Sequence, residues 1–493
     1  MKKLLLIGYL LFVNTLFAQV DKKWVVGYLP SILQFNQSGT INYPMDSPVT
    51  MAIINTSANI CNEDGELQFF SNGVFLFDKY GDTVEEGTGF HPPLLADFYD
   101  IAASSSQAAL ILPKKNGLYY YFHYSMSDYN FAHNMPFDLL YYSVVDMNAN
   151  GGKGKVISKN NLLLKDSLLD AYGMTACRHA NGRDWWLIKI KYLKNGYYKY
   201  LITPDTITGP SYQLIEHGVF GTPTSFGQSV FSNNGDLLAS TNYRGGVRVM
   251  SFDRCTGEIT PWLTLAVPID SITQHGVGGN ALSFSASGNF LYVNTFKEVY
   301  QFNLADTNVQ QSIVKVGMED TSYNTMFEQS QIGSDGKIYI GNFNGFTNSL
   351  SVIHQPEIKG VGCNFKYHSD TIYGSLAVGS PPNMPNYHLG AQYGSVCDTI
   401  VSETGTIADD QEEFLLYPNP ASSTVYLQLN SEGKEPVEFN LYDVLGNIVL
   451  RYSLISDKTV QTISLENTNA GTYFYCVQTS TGFKITGKLM VFN

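Results

Sequence analysis

At 493 residues the chain is too long for one small core. Aromatic residues at 13%, 44 glycines and only 15% charged residues tilt it toward short strands and tight turns. A net charge of −13 opposes nucleic acid or anionic lipid as partners, because both are bound through basic patches. Long helical periodicity is missing, so the expected fold class is all-β.

The first element is a leader. Lys2 and Lys3 precede an apolar run from Leu4 to Phe17, and Ala18 puts a small residue before Gln19, so 1–18 reads as an export signal. The run is shorter than the ~20 residues that span a bilayer as a helix. No later stretch is apolar for longer, so no transmembrane segment is expected in the mature chain.

Residues 19–397 carry a repeat. A small or polar pair, then Gly, then a β-rich run appears as "CNEDGELQFF" at Gly65, "PKKNGLYYYF" at Gly117 and "RHANGRDWWLIKI" at Gly182. It returns as "FSNNGDLLAS" at Gly235, "FSASGNFLYV" at Gly288 and "IGSDGKIYIG" at Gly336. Asn, Asp or Ser beside Gly makes a hairpin turn, and the alternation behind it supplies the next strand. In the last three repeats an apolar residue stands four before the Gly (Phe231, Phe284, Ile332), as an inner strand packed between neighbours requires. A period near fifty is that of a four-stranded propeller blade. A β-propeller of seven blades is therefore expected, six being the alternative. The stretches 24–30 and 365–390 are expected to close the ring together as a composite blade.

Candidate sites in this region are weak. "DMNANGGKGKVI" from Asp146 opens like a calcium loop through Asn148, Asn150 and Gly151, but the twelfth position is Ile157, where a bidentate acid is required. His179, Arg183 and Asp184 in "RHANGRDWW" invite an acid/base reading, yet they flank a turn that they would lock. "SFGQS" near Ser229 lacks the frame of a nucleophile elbow. "HGVGGNALSF" (275–284) has glycines without the helix of a phosphate loop. The nine His show no zinc spacing. No catalytic residue, metal ligand or cofactor is assigned. The Tyr-, His- and Asn-rich stretch 123–142 could be a binding loop or a cover over a hydrophobic edge. Six Cys are present, at positions 61, 177, 255, 363, 397 and 476. An oxidising compartment permits disulfides, Cys363 with Cys397 being the expected pair.

"HANGRDWWLI" (179–188), "FDRCTGEI" (252–259), "LSFSASGNFLYV" (282–293), "QIGSDGKIYI" (331–340) and "GSPPNMPNYHLG" (379–390) together resemble secreted WD40/YVTN-like β-propeller proteins of Bacteroidetes. The resemblance implies the fold and a cell-surface or released life, without a chemistry.

Residues 398–413 read as an acidic linker with little to bury. Strand alternation then restarts at Phe414 and halts at "PNP", where the prolines cannot donate ladder bonds. Further strands follow at 424–429, 437–444, 447–454, 460–465, 471–479 and 483–492, so 414–493 is expected to be a small Ig-like antiparallel sandwich. "YPNP", "NLYDVLGNIV", "NAGTYFYCV" and "GKLMVF" occur in the order seen in the type A C-terminal sorting domain of the type IX secretion system, which this segment resembles. The matching positions are Pro418, Asn419 and Pro420, then Tyr442, Asp443 and Gly446, then Gly471, Tyr473 and Lys488. The resemblance implies recognition by the secretion machinery at the outer membrane, passage through the periplasm, and cleavage of the tail on arrival. Cys476 departs from the pattern and is read as a small buried hydrophobe.

The leading expectation for function is a non-enzymatic surface or released propeller that binds glycan or protein partners. The alternatives are a propeller hydrolase or lactonase-like enzyme with a metal in the channel, and a scaffold within a surface complex.

Overall fold

A computed structural model describes residues 19–398 and 414–491 except 37–38, 46–51, 100–101, 192–195, 216–226, 243–244, 270–278, 321–324, 344–346, 376–378, 418, 420, 430–435, 444–446, 455–459 and 480–483. The leader and most of the linker lie outside the described residues, as do Pro418, Pro420 and Gly446. The chain divides into two compact units, Met1–Asp398 and Thr399–Asn493.

The larger unit is a ring of seven antiparallel blades, each beginning with an inner strand. These inner strands are Lys23–Val26, Ala58–Cys61, Ala109–Pro113, the end of Lys155–Arg178, Gly227–Phe231, Ala281–Phe284 and Met326–Ile332. Blades 5, 6 and 7 have four strands, and blades 1 and 2 have three. Blades 3 and 4 share one long strand. Lys155–Arg178 pairs with Phe137–Asp146 as the outer strand of blade 3, then with Trp185–Lys191 as the inner strand of blade 4. Inner strands are covered on both faces, so they read as short apolar runs such as "ALIL" and "ALSF" instead of alternating.

The repeat glycines occupy one recurring place. Gly65, Gly117, Gly182, Gly235, Gly288 and Gly336 sit between the first and second strands of blades 2 to 7, with φ between 71° and 81°. A side chain there would be strained, and the turn needs that backbone. The bonds Gly182 N–H to His179 O, Gly235 N–H to Ser232 O and Gly288 N–H to Ser285 O, all 2.9 Å, repeat one turn geometry.

Ring closure differs from the composite blade expected from sequence. Lys23–Val26 forms blade 1 with Ser31–Asn36 and Gly39–Pro44, while Phe365–Thr371 is the outer strand of blade 7. The two meet through side chains and loops. Trp24 and Phe35 both pack edge-on against Tyr339, at 5.5 and 5.6 Å. Ser31 Oγ donates to Tyr373 O at 2.7 Å, and Asn42 Nδ2 to Thr371 O at 3.0 Å. The stretch 379–390 joins no sheet, because prolines at 381, 382 and 385 remove the N–H groups a ladder needs.

That stretch instead fills the central channel as a clasp. Ser380 N–H donates to Ile54 O at 2.9 Å and Asn383 N–H to Ser57 O at 2.7 Å, both just ahead of the inner strand of blade 2. Asn383 Nδ2 reaches Ala109 O in blade 3 and Met174 O in blade 4, each at 3.0 Å. Tyr387 Oη donates to Ile111 O at 2.7 Å, and Gln331 Nε2 of blade 7 donates to Met384 O at 3.2 Å. The fit is tight where backbone meets backbone: a Cβ on Gly379 would lie 1.9 Å from Ile54 O.

The clasp is then fixed covalently. Cys397 is bonded to Cys255 on a hairpin of blade 5, not to Cys363. Cys363 is fully buried in the cluster of Phe290, Tyr292 and Ile353 and is a free cysteine. Cys255 lies on a turn past which the clasp leaves the channel.

The smaller unit is a sandwich of seven strands: β1 Phe414–Tyr417, β2 Thr424–Leu429, β3 Pro436–Tyr442, β4 Ile448–Ser453, β5 Val460–Ser464, β6 Gly471–Thr479 and β7 Lys484–Val491. One sheet runs β1-β2-β5 and the other β4-β3-β6-β7. Val425, Leu427, Phe439, Leu441, Ile463, Val477 and Leu489 alternate inward to make its core. Cys476 is half-buried and lies outside that core.

Candidate functional site

At the end of the channel that carries the glycine turns of blades 5 to 7 there is a cavity of about 1270 Å³. Its walls are the ends of the inner strands of blades 4 to 7, and its lining includes the chain before blade 1 and clasp residues 383–386 and 388–390. Hydroxyls and carboxamides dominate the polar lining, from Thr175, Ser229, Ser283, Asn233, Gln331 and Asn386. Few charges reach the rim. Asp21 is hydrogen-bonded to His388 Nε2 at 2.8 Å, and Asp335 accepts from Tyr339 Oη at 2.9 Å. The Asp21 bond raises the His388 pKa above the usual imidazole value. Asn386 Nδ2 donates to both Asn233 O and Asn233 Oδ1 at 2.7 Å, so the clasp forms part of the lip. Trp24 and Phe35 of blade 1, both buried, also belong to the lining.

Deeper in the channel, two glutamines lace the five consecutive blades 3 to 7. Gln107 Oε1 accepts from Gly173 N–H and Ser229 N–H, while Gln228 Oε1 accepts from Leu282 N–H and Ser330 N–H. Glu328 of blade 7 accepts from Ser106 Oγ of blade 3 at 3.3 Å, and burial pushes its carboxyl up to about 8. Sequence reading missed Gln107, Gln228, Glu328 and Asn383. No local pattern marks them, since each acts on strands far away in the chain.

The sequence-derived candidates are occupied by structure. Asp146 Oδ1 caps Asn148 N–H at 2.9 Å and Asn148 Nδ2 holds Asn116 O at 2.8 Å, while Ile157 points out with 52% exposure. Arg183 Nε and Asn181 Nδ2 both donate to the Asp184 carboxylate, at 2.8 and 2.7 Å, and His179 Nε2 meets Cys255 O at 3.0 Å. These residues lock a turn. Trp186 Nε1 donates across blades to Arg254 O at 2.9 Å. Ser229 Oγ pairs with Ser240 Oγ at 2.8 Å. Of 275–284, residues 275–278 lie outside the described residues, and Ala281–Phe284 is an inner strand. Much of 123–142 is strand, with His123 fully buried. Between the strands, the short helix Asp128–Ala132 packs Phe131 against Phe98 at 5.6 Å. Among the described residues no three His, Cys, Asp or Glu side chains gather as a metal would require.

In the terminal domain, Asn419 Nδ2 donates to Lys488 O at 2.7 Å, and its Oδ1 accepts Met490 N–H at 3.0 Å. Asp443 closes the β3–β4 connection by accepting from Asn447 N–H at 2.8 Å and Asn447 Nδ2 at 3.0 Å. Gly471 pairs with Val491, Tyr473 with Leu489, and Tyr473 Oη donates to Asn469 O at 2.9 Å.

Comparison with known proteins bears on the two units differently. Residues 415–492 match the family described as the secretion system C-terminal sorting domain. This tail marks the protein as one exported by the type IX secretion system, to the cell surface or beyond it. No helix among the described residues is long and apolar enough to cross a membrane. A search of curated proteins finds no match. Among solved structures, a proposed 6-phosphogluconolactonase from Bacteroides uniformis is 13% identical, covering 72% of this chain and 98% of its own, with a TM-score of 0.42. The extracellular domain of a one-component system from B. thetaiotaomicron is 11% identical over 97% of this chain and 56% of its own, with a TM-score of 0.36. The Cps50 (Swd1) β-propeller domain from Myceliophteria thermophila is 10% identical over 66% and 92%, also at 0.36. Likeness at this level carries no activity across, and the propeller assignment rests on the blades themselves.

Proposed function

We propose that the exported propeller is a binding protein that seats a glycan, or a segment of a protein partner, at the channel mouth. The observation that carries this reading is the mouth cavity, walled by hydroxyls and carboxamides of several blades and floored by the clasp. Such groups donate and accept hydrogen bonds without a net charge, which suits polyhydroxylated or peptide ligands. The clasp occupies the channel below the mouth, which supports a ligand seated at the mouth.

Glycan-array screening of the secreted protein, repeated with Asn233→Ala and Asn386→Ala, tests the proposal. Retention of a defined saccharide that both substitutions weaken supports it. Retention indifferent to both would place the ligand elsewhere, and turnover of a retained ligand would return the enzyme reading.

A further inference from the structure

The terminal domain brings together residues that are far apart in the chain. Tyr442 on β3 faces Phe474 on β6, and Phe474 in turn faces Lys488 on β7; on the other side Tyr442 meets Ile448 on β4 just past a register shift that leaves Val449 beside the same pair. Regular cross-strand partners point to the same side of a sheet, so Tyr442, Phe474 and Lys488 form one row across three strands, and at the register shift the exposed Ile448 and Val449 extend it on β4. Their chain neighbours Leu441, Tyr473 and Leu489 point the other way, into the core. The row therefore lies on the outer face, where Ile448 is 45% and Phe474 49% exposed, with Val449 at 45% beside them.

Outer faces of sandwich sheets are ordinarily polar. The next row on this face follows that rule: Arg451 Nε donates to Asn440 Oδ1 at 3.0 Å, and Asn440 Nδ2 to Glu438 Oε2 at 2.8 Å. The apolar groups are thus confined to one end of the sheet. Asn419 grips β7 at Lys488 and Met490 there, and Asp443 shapes the β3–β4 connection there. No carboxylate among the described residues pairs with the Lys488 ammonium.

We propose that this end of the domain, the row Ile448–Tyr442–Phe474–Lys488, is the surface by which the secretion machinery reads the tail. The proposal rests on the reading of 414–493 as a sorting domain. The partner is a component of that machinery presenting an apolar surface with a carboxylate placed to meet Lys488. Burying Phe474 and Ile448 against it supplies affinity, and the charge pair sets the register along the row. Asn419 and Asp443 are positioning residues, holding β7 and the β3–β4 connection so that the row stays continuous.

The test uses the full chain in a bacterium with a working type IX system, reading the ratio of surface-plus-medium protein to periplasmic protein. Phe474→Asp and Lys488→Glu should each lower that ratio by about tenfold or more, as loss of an interface anchor does. Thr462→Asp, at an exposed site on the other sheet, is the control and should leave it within about twofold. A chain lacking 414–493 calibrates the experiment. If that deletion is exported normally, the sorting reading itself fails. If the deletion is trapped while both row variants leave as the wild type does, the sorting reading stands and the row proposal is overturned. Protease resistance of the trapped variants separates lost recognition from lost folding. Should Phe474→Asp be degraded, Phe474→Ser takes its place with the same expected direction.

Discussion

Gln107 and Asn383 meet in the channel, where Gln107 Nε2 donates to Asn383 Oδ1 at 3.0 Å. The first residue belongs to blade 3 and the second to the clasp. Asn383 uses its own amide N–H groups on Ala109 O and Met174 O, so one side chain ties the clasp to two adjacent blades. Asn383→Ala should cost about 2–4 kcal/mol, because two buried carbonyls lose their donor. Asn383→Asp should cost more, since a carboxylate would face those carbonyls. Denaturant unfolding of the three proteins checks the order.

The bond between Cys255 and Cys397 closes a loop of 142 residues in sequence separation and holds the end of the clasp. Cys255→Ser should destabilise the propeller by about 2–5 kcal/mol. Reductant should shift the wild-type melting temperature toward that of the variant, and should leave the variant unchanged. Calorimetry with and without reductant reads both effects.

Glu328 sets a pH dependence. Its carboxyl is raised to about 8 in the folded protein, so the folded state binds this proton more tightly than the unfolded state does. Stability from this group is therefore greatest in acid and declines as pH rises from about 4.5 toward 8. Glu328→Gln removes the ionisation and should flatten that decline, raising the melting temperature at pH 8 by about 2 °C or more while changing little at pH 5. A melting series across this range for both proteins is decisive.

His388 works in the same sense over a higher range of pH. Its folded pKa is raised by Asp21, so the latch is fully present below the ordinary imidazole value and is lost as pH climbs through the folded value. The pair is partly exposed, so its worth is below about 1 kcal/mol. Asp21→Asn should abolish the difference in hydrogen-exchange protection of residues 19–22 between acid and alkaline buffer.

Local chemistry decided how much of this was legible beforehand. Six hairpins announced themselves through Gly beside Asn, Asp or Ser, because positive φ leaves a mark in the residue type. Blade 1 escaped because its first turn is "GYLP", where Gly27 and Leu29 take positive φ without an Asn-Gly pair. The clasp read as coil. Its prolines exclude a ladder, and the carbonyls that accept from Asn383 lie more than two hundred residues away. Cys255 and Cys397 likewise lie 142 residues apart, with no local pattern to pair them. In the terminal domain the motif positions were readable one by one, but their meeting along a single row is a property of strand register.

The clasp also imposes an order of events. Blades 1 to 7 leave the chain in sequence, yet the piece that laces them together comes after all of them, and Cys397 comes last. The ring is thus a lock whose bolt is delivered at the end. Cys397 lies ahead of the boundary at which the terminal unit begins. A cut beyond Asp398 therefore removes the address while leaving the bolt thrown.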